Sequence, residues 1–567
     1  MNLNAVFDKC TVFMDRNGLD ALYISSFDEN ISEYVPMSDC HRFYVTEFTG
    51  SVAEVLIIKN KKIRLYVDGR YYLQADKETN PDYIDVIKCN FEMSLEEVLK
   101  KDVQKFNIKK IGLEGNRCTH LLEESFKAIT EVIAFDQNEI KSLLESKGFK
   151  SQKIVHSLPL ELSGETTKSK LNRIIKENEA IFLQELDSIS WLTNLRGYHH
   201  PYNSTFIAIA ICLEKKIHIF TDEINLEESI NERTELCFHS IRDFNIIAKG
   251  ILKNHNLNCI YYDKLKISAA HLRTLQKIFG SSKCLNLEKG ILPFQAIKNK
   301  IEVAQMKKSF DKSSNAIYST IKTITEKCLT EEVSEKYLYD LTNENYKKEG
   351  AKSLSFNTIA AFGENSALVH FGNSSEKKII QESEFALLDS GGFYDAGLAT
   401  DCTRTFAPKG NPTPKMKEIY TLVLKSLLSA QAAVFKSGIL GSHIDKIARK
   451  PLIESGYNYL HGTGHGVGIN VHEGHYSLRP ESTTPLVEGL VGSIEPGIYI
   501  EGHGGVRLEN IVTVVKHPFL PGMLRFEPIL FLGFMPELIH LNMLSPEENI
   551  WLNQYEDECT KRGFSFR

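Results

Sequence analysis

No two cysteines are spaced as CxxC, and the 11 cysteines are scattered along all 567 residues. Structural zinc is therefore not expected, and free thiols in a reducing cytoplasm are the simpler account. No run of about 18 apolar residues occurs, so no membrane span is expected. The opening stretch, MNLNAVFDKCTVFMDRNGLD, lacks the unbroken apolar segment of a secretory signal. Its apolar residues recur at helical spacing, with Gly18 as a stop. Positive charge is also short. Lys and Arg number 67 against 73 Asp and Glu, a formal net charge of −6. With no basic stripe, a nucleic-acid partner is not expected. The glycine-rich GTGHGVG has no Lys-Ser/Thr after it, which argues against a phosphate-binding loop.

What is present is the balance of an ordinary globular protein, 42% hydrophobic and 25% charged. The length exceeds what one hydrophobic core supports, so two to four domains are expected. Two stretches of the N-terminal half read as variants of one α/β unit. ALYISSFDENISEYV (Ala21 to Val35) leads to RFYVTEFTG and KIRLYVDGRYYL; AIFLQELDSISWL (Ala180 to Leu192) leads to TNLRG, STFIAIAIC and KIHIF. A divergent duplication accounts for both, with the polar Ser146 to Lys170 as the linker. From about Gln295 the pattern changes. A charge-laced helix is expected over Lys298 to Lys327, and another after Thr330, whose hydroxyl would cap it. Strands and helices then alternate to Val515, with helices over Pro414 to Lys436 and Ser442 to Glu454, the second kinked by Pro451. FEPILFL and SPEENIWLNQYEDEC read as a last strand and a closing helix.

This third region places polar residues on otherwise apolar strands. FALLDSGG carries Asp389, TDCTRTF carries Asp401, SIEPGIYI carries Glu495 and VRLENIVTV carries Arg507 and Glu509. A hairpin through Gly397 would join the two aspartates, and Arg507 and Glu509, two apart on one strand, would share a face. HGTGHGVGINVHEGH supplies His461, His465, His472 and His475. Buried carboxylates are costly unless paired or bound to metal. Two divalent cations would balance the four carboxylates, with one neutral imidazole completing the shell. Such an oxygen-rich set suits Mn²⁺ and leaves Co²⁺, Fe²⁺ or Zn²⁺ open. Each residue alone has a plainer reading as a turn, cap or core residue. Their coincidence in the order Asp, Asp, His, Glu, Glu favours a site.

These segments resemble the creatinase, prolidase and aminopeptidase superfamily, and within it the long, three-domain cytosolic aminopeptidase P form. The resemblance runs through ISEYVPMSDCHRFYVTEFTGS, DGRYYLQADKE, DSISWLTNLRG, SFNTIAAFGENSALVHF, DSGG with TDCTRT, YLHGTGHGVG with NVHEG, IEPGIYI, VRLENIV, and FEPI with WLNQY. It implies an α/β (α+β) chain: two creatinase-like N-terminal domains (1–145 and 146–294), a pita-bread catalytic domain (295–515) and a C-terminal extension packed on it (516–567). It implies Asp389, Asp401, His465, Glu495 and Glu509 as ligands of two divalent cations. His370, His461 and His472 would contact substrate and take part in catalysis with Glu495, and Arg507 would support the site and help bind substrate. His475 receives no role.

The reaction implied is release of the first residue of peptides with proline second, by a hydroxide bridging the two cations. Glu495 would accept the proton, and His370 would stabilise charge on the carbonyl oxygen. A homodimer is implied as well. The alternatives are a dipeptidase cutting only Xaa-Pro and a non-catalytic pita-bread module that binds peptides or proteins. The apparent duplication disfavours the first, and retention of all five ligands disfavours the second. A methionine aminopeptidase would not need the 294 residues before the catalytic region. Three departures stand out. Eleven residues separate the two aspartates, one more than is usual, His199 stands where an acidic residue is usual, and His41 stands where the family often has the first of two arginines. The last two put substrate preference in doubt before catalysis.

Overall fold

The computed structural model describes residues 3–90, 93–222 and 225–567. The chain forms two compact units. One spans Met1–Leu160, Glu165–Pro201 and Thr205–Phe294; the other spans Glu161–Gly164, Tyr202–Ser204 and Gln295–Arg567.

The first unit holds two six-stranded sheets. In the first, the strand order is Ile84–Lys88, Ile63–Val67, Glu54–Ile58, Ala21–Ile24, Lys110–Glu114, Glu131–Phe135. In the second it is Leu236–Ser240, Ile217–Thr221, Ile209–Leu213, Glu179–Leu183, Cys259–Tyr262, Cys284–Asn286. The two orders are the same when each sheet's strands are numbered along the chain, and each junction has the same parallel or antiparallel sense. That is the physical signature of the duplication read from the two sequence stretches. Alternation along the strands explains why their runs are almost wholly apolar. Leu22, Ile24, Val55 and Ile57 point into one core, and Ala21, Tyr23, Leu56 and Ile58 into another on the opposite face.

Ser146 to Lys170 is not a bare linker. It contains the strand Ile154–Ser157, paired with Leu195–Arg196, the short helix Leu160–Ser163 and the start of the helix Thr167–Ile174. Lys170 is buried, its Nζ donating to Trp191 O at 2.7 Å and Asn194 Oδ1 at 2.6 Å. Polar composition misleads there because the lysine is fully partnered.

In the second unit, Asn299 and Glu302 form a capping box that starts the helix Lys300–Lys327. The following helix begins at Glu335 and is capped by Ser334, not by Thr330. Thr330 instead lies in the turn that ends the preceding helix, its N–H bonded to Lys327 O. The helix expected to reach Lys436 stops at Gln431, and Val434–Lys436 pairs as an edge strand with Met523–Pro528. β-branched and aromatic residues at 434 and 435 suit that strand. Pro451 lies inside the helix Gly441–Glu454.

Three sheets carry or flank the polar residues singled out above. Ile359–Phe362, Ala386–Ser390 and Cys402–Phe406 form one. Gly497–Ile500 and Gly504–Arg507 form a two-stranded ribbon. The third runs Val434–Lys436, Met523–Pro528, Asn510–Lys516, Val491–Ile494, Gly464–Gly466, Glu473–Leu478. No helix among the described residues is long and apolar enough to cross a membrane.

Candidate metal centre

Asp389 lies within its strand, paired with Ile359 on one side and Thr403 on the other. Asp401 directly precedes Cys402–Phe406, so the hairpin brings the two aspartates to one end of the sheet. The hairpin is pinched at Gly391, where a Cβ would stand 1.9 Å from Thr400 O. Ser355 Oγ donates to the same carbonyl at 2.7 Å.

Glu495 follows the end of Val491–Ile494, and its N–H donates to Thr463 O at 2.7 Å. Glu509 sits in the two-residue junction between the strands ending at Arg507 and starting at Asn510. Arg507 and Glu509 therefore do not share one strand face, as alternation suggested. Both still converge on Thr403, whose Oγ1 donates to Glu509 Oε2 at 3.1 Å and accepts from Arg507 Nε at 3.1 Å.

His465 stands in Gly464–Gly466, its Nδ1 3.0 Å from Gly466 O. A proton on Nδ1 makes that contact a hydrogen bond and turns Nε2 toward Asp401 Oδ2 at 3.5 Å and Glu495 Oε1 at 3.3 Å. His472 packs edge-on against His465, with ring centroids 4.4 Å apart. His461 places Nδ1 2.7 Å from Gly462 O and Nε2 2.9 Å from Tyr499 Oη. Arg507 spans the floor, with Nη2 donating to Asp389 Oδ2 at 2.6 Å and Nη1 to Tyr499 Oη at 2.9 Å. His370 is half-buried just beyond the 3₁₀ turn Gly363–Ala367, and His475 is half-buried in Glu473–Leu478 with φ 65°.

The electrostatics are those of a cluster with too much negative charge. Burial, then repulsion from Glu509, Asp389 and Glu495, pushes the Asp401 carboxyl well above its usual range. Burial and the neighbouring carboxylates do the same to Glu509. Burial opposes charge on Glu495 too, but the hydrogen bond and charge of His465 pull it down to about 2. Burial likewise opposes charge on His465, and Glu495 overrides it, raising the imidazole to about 9. Burial drives His461 down to about 4, so it is neutral. Asp389 Oδ1 and Glu509 Oε1 are buried without a hydrogen-bond partner. Ligand atoms of Asp401, His465 and Glu509 lie within 4.8 Å of one another. A buried excess of carboxylates, two of them with an orphaned oxygen, beside a single imidazole fits divalent cations.

Tyr499 and Thr403 were not singled out in the sequence, although each lies in a quoted motif. Gly497 pairs with Arg507 and Tyr499 with Gly505. Read as a hairpin, IEPGIYI and GGVR put Tyr499 and Arg507 on one face. His199 is a loop clamp: Nε2 lies 3.1 Å from Lys153 O, and Nδ1 accepts from the Ile207 N–H at 3.2 Å. His41 Nδ1 contacts Glu114 Oε2 at 2.9 Å within the first unit.

Residues 7–143 and 146–302 each match a creatinase/prolidase N-terminal domain, and residues 304–516 match metallopeptidase family M24. A Talaromyces marneffei protein named probable Xaa-Pro aminopeptidase P is 31% identical over 97% of this chain and 87% of its own length. The chain belongs to the Xaa-Pro aminopeptidase P family of M24 metallopeptidases. A Laccaria bicolor member with the same name is 29% identical over 97% of this chain and 89% of its own. The crystal structure of the Caenorhabditis elegans X-prolyl aminopeptidase, a cytosolic enzyme with a di-nuclear active site, superposes with a TM-score of 0.90. It covers 99% of this chain and 96% of its own at 24% identity, which shows the shared fold: creatinase-like α/β domains and a pita-bread catalytic domain. Pyrococcus furiosus prolidase, at 26% identity and TM-score 0.50, covers 62% of this chain and 95% of its own. Much of the aminopeptidase P architecture seen here thus has no counterpart in that prolidase.

Proposed function

We propose that this chain is an aminopeptidase that releases the first residue of peptides whose second residue is proline. The observation that carries the proposal is the cluster of Asp389, Asp401, His465, Glu495 and Glu509, with its orphaned oxygens, in a chain matched end to end by aminopeptidase P relatives. These five residues hold two divalent cations, of which Mn²⁺ suits the oxygen-rich set best, with Co²⁺, Fe²⁺ and Zn²⁺ as the other choices. The catalytic part is 295–515, preceded by domains over 1–145 and 146–294 and followed by the extension 516–567.

When bound, the cation pair supplies a Lewis acid and makes water ionisable near neutral pH. The protein's groups do the rest. Glu495 accepts the proton from the attacking water and delivers it to the leaving proline nitrogen. His370 stabilises charge on the carbonyl oxygen of the first residue, where fixed donors help most. His461 is neutral, and with Nδ1–H facing Gly462 O its Nε2 accepts from Tyr499 Oη. Arg507 fixes Asp389 and Tyr499 together. A carboxylate of the site receives the substrate's free α-amino group, which limits cutting to one residue. Proline's tertiary amide brings no N–H, and the histidines His370, His461 and His472 with apolar walls accept its ring without offering an unmet acceptor. The eleven cysteines, all free and nearly all buried, favour the cytoplasm. The active species is a homodimer, which light scattering tests against the 64.3 kDa of one chain.

The test is incubation of cation-stripped and Mn²⁺-supplied protein with Xaa-Pro-Yaa, Xaa-Ala-Yaa and Xaa-Pro, with products identified by mass spectrometry. Release of Xaa from the proline tripeptide alone, and only with cation, is expected. Cleavage confined to the dipeptide would make the chain a prolidase. No cleavage with both cations bound would overturn the proline-peptide assignment and force a new search for the substrate.

A further inference from the structure

We infer that a buried ion pair, Lys298 with Glu473, positions the loop that carries His465 and His472. The two are positioning residues for the reaction proposed above, and the inference rests on that reading. Neither belongs to the cluster of carboxylates and histidines. Glu473 opens the strand Glu473–Leu478 and stands opposite Gly466, one residue beyond His465 and just after His472. Its Oε2 meets Lys298 Nζ, and both side chains are 1% exposed. Its Oε1 accepts from Gln295 Nε2 at 2.9 Å and from the Ile469 N–H at 3.3 Å. The carboxylate is thus tied on one side to the segment before the long helix and on the other to the tip of the loop.

Lys298 is itself fixed. Nζ donates to Gln295 O at 2.9 Å, and its backbone N–H donates to Gly489 O at 2.9 Å. The loop is shaped around the carboxylate: a Cβ at Gly468 would lie 2.0 Å from Glu473 Oε1. Gly468 O accepts from the Ala399 N–H at 2.7 Å, which joins the same loop to the hairpin that presents Asp401. Between these anchors the His465–Gly466 step carries a register shift, and the His465 and His472 rings meet edge to face. A buried ion pair is an inefficient way to add stability, since apolar residues of the same volume do as well or better. What it adds here is a fixed separation between the loop and the segment before Lys300.

The full-length, cation-loaded protein tests this as Lys298→Met, Glu473→Gln and the double variant. Melting midpoint, kcat and KM for an Xaa-Pro-Yaa peptide, and the visible absorption of the Co²⁺-loaded protein are measured. Each single variant leaves a buried group unmatched and melts lower; the double variant, with neither charge, recovers most of that loss. Positioning predicts that the double variant's kcat stays roughly 10–100-fold below the parent, with KM little changed and a shifted Co²⁺ spectrum. Recovery of kcat and spectrum together with stability would mean a structural role only and would overturn the inference. Should the double variant not fold, Glu473→Asp keeps the charge but retracts it by one methylene. Loss of kcat and a shifted spectrum are expected there, and parental values would overturn it. If the parent itself cleaves no proline peptide, the proposed function fails, while the Co²⁺ spectra still decide the positioning.

Discussion

At the scale of single residues, the carboxylates of the centre differ in what holds them. Asp389 is fixed by Arg507, Glu509 by Thr403, and Glu495 by His465 and by Ser493 Oγ, which donates to it at 3.2 Å. Glu495 thus lacks the direct arginine contact that holds Asp389, which suits the proton-carrying role proposed for it. Glu495→Gln is expected to abolish turnover while much of the cation stays bound. Activity above a few per cent in a sample shown by elemental analysis to be cation-replete would refute that role. His370→Ala is expected to lower kcat by roughly 10²–10³, as for a lost oxyanion donor. A change confined to KM would contradict it. Tyr499 shows where sequence reading stopped. It lies in a quoted motif, but its importance comes from bonds to His461 and Arg507 that only the ribbon creates.

At the scale of elements, local chemistry named helix starts well where a cap and its partner are close in sequence. Asn299 with Glu302 is such a case. It failed at Thr330, because Ser334 cannot be ranked above Thr330 as a cap without the pairing of Ser334 with Ile379 that directs the chain there. The helix Ala269–Phe279 carries a pH dependence of its own. His271 lies in its first turn, Nδ1 2.9 Å from Ser268 Oγ and 3.1 Å from Gln184 Oε1, and burial lowers its pKa to about 4. Unfolded, the same group titrates near 6.5, so between these values the unfolded chain binds more protons. Its contribution is complete above about pH 6.5 and is lost as pH falls through that window to about 4. His271→Gln is expected to flatten the fall in stability of the first unit between pH 6.5 and 4.5. Denaturant titrations in a Trp551→Phe background would report it, leaving Trp191, in the first unit, as the one tryptophan. An unchanged slope would count against His271.

At the scale of the whole molecule, the centre gathers residues from strands, a glycine-rich loop and a junction spread from Asp389 to Glu509, and the C-terminal segment supports it. Arg404 donates to Asn510 Oδ1 at 2.9 Å, Leu532 O at 2.6 Å and Tyr555 Oη at 3.1 Å. This ties the strand that follows Asp401 to the closing helix Pro546–Arg562. Cations that bind only the folded unit stabilise it by mass action, about 2.7 kcal/mol at a free concentration 100 times Kd. Stripping them is expected to lower the melting midpoint of the second unit, read from Trp551 in a Trp191→Phe background, and Mn²⁺ is expected to restore it. A midpoint indifferent to chelator would argue against a cation centre.

The sequence by itself determined the duplicated α/β pattern, the apolar strands and the order of the five candidate ligands, because strand alternation and motif spacing are local properties of the chain. Only the tertiary structure decided that Arg507 and Glu509 meet at Thr403 rather than along one strand, that His199 clamps a loop, and that Lys298 lies buried against Glu473. Each of those depends on a partner distant in sequence, and whether a polar residue there is a ligand, a clamp or a cap is set by which partner the fold brings to it.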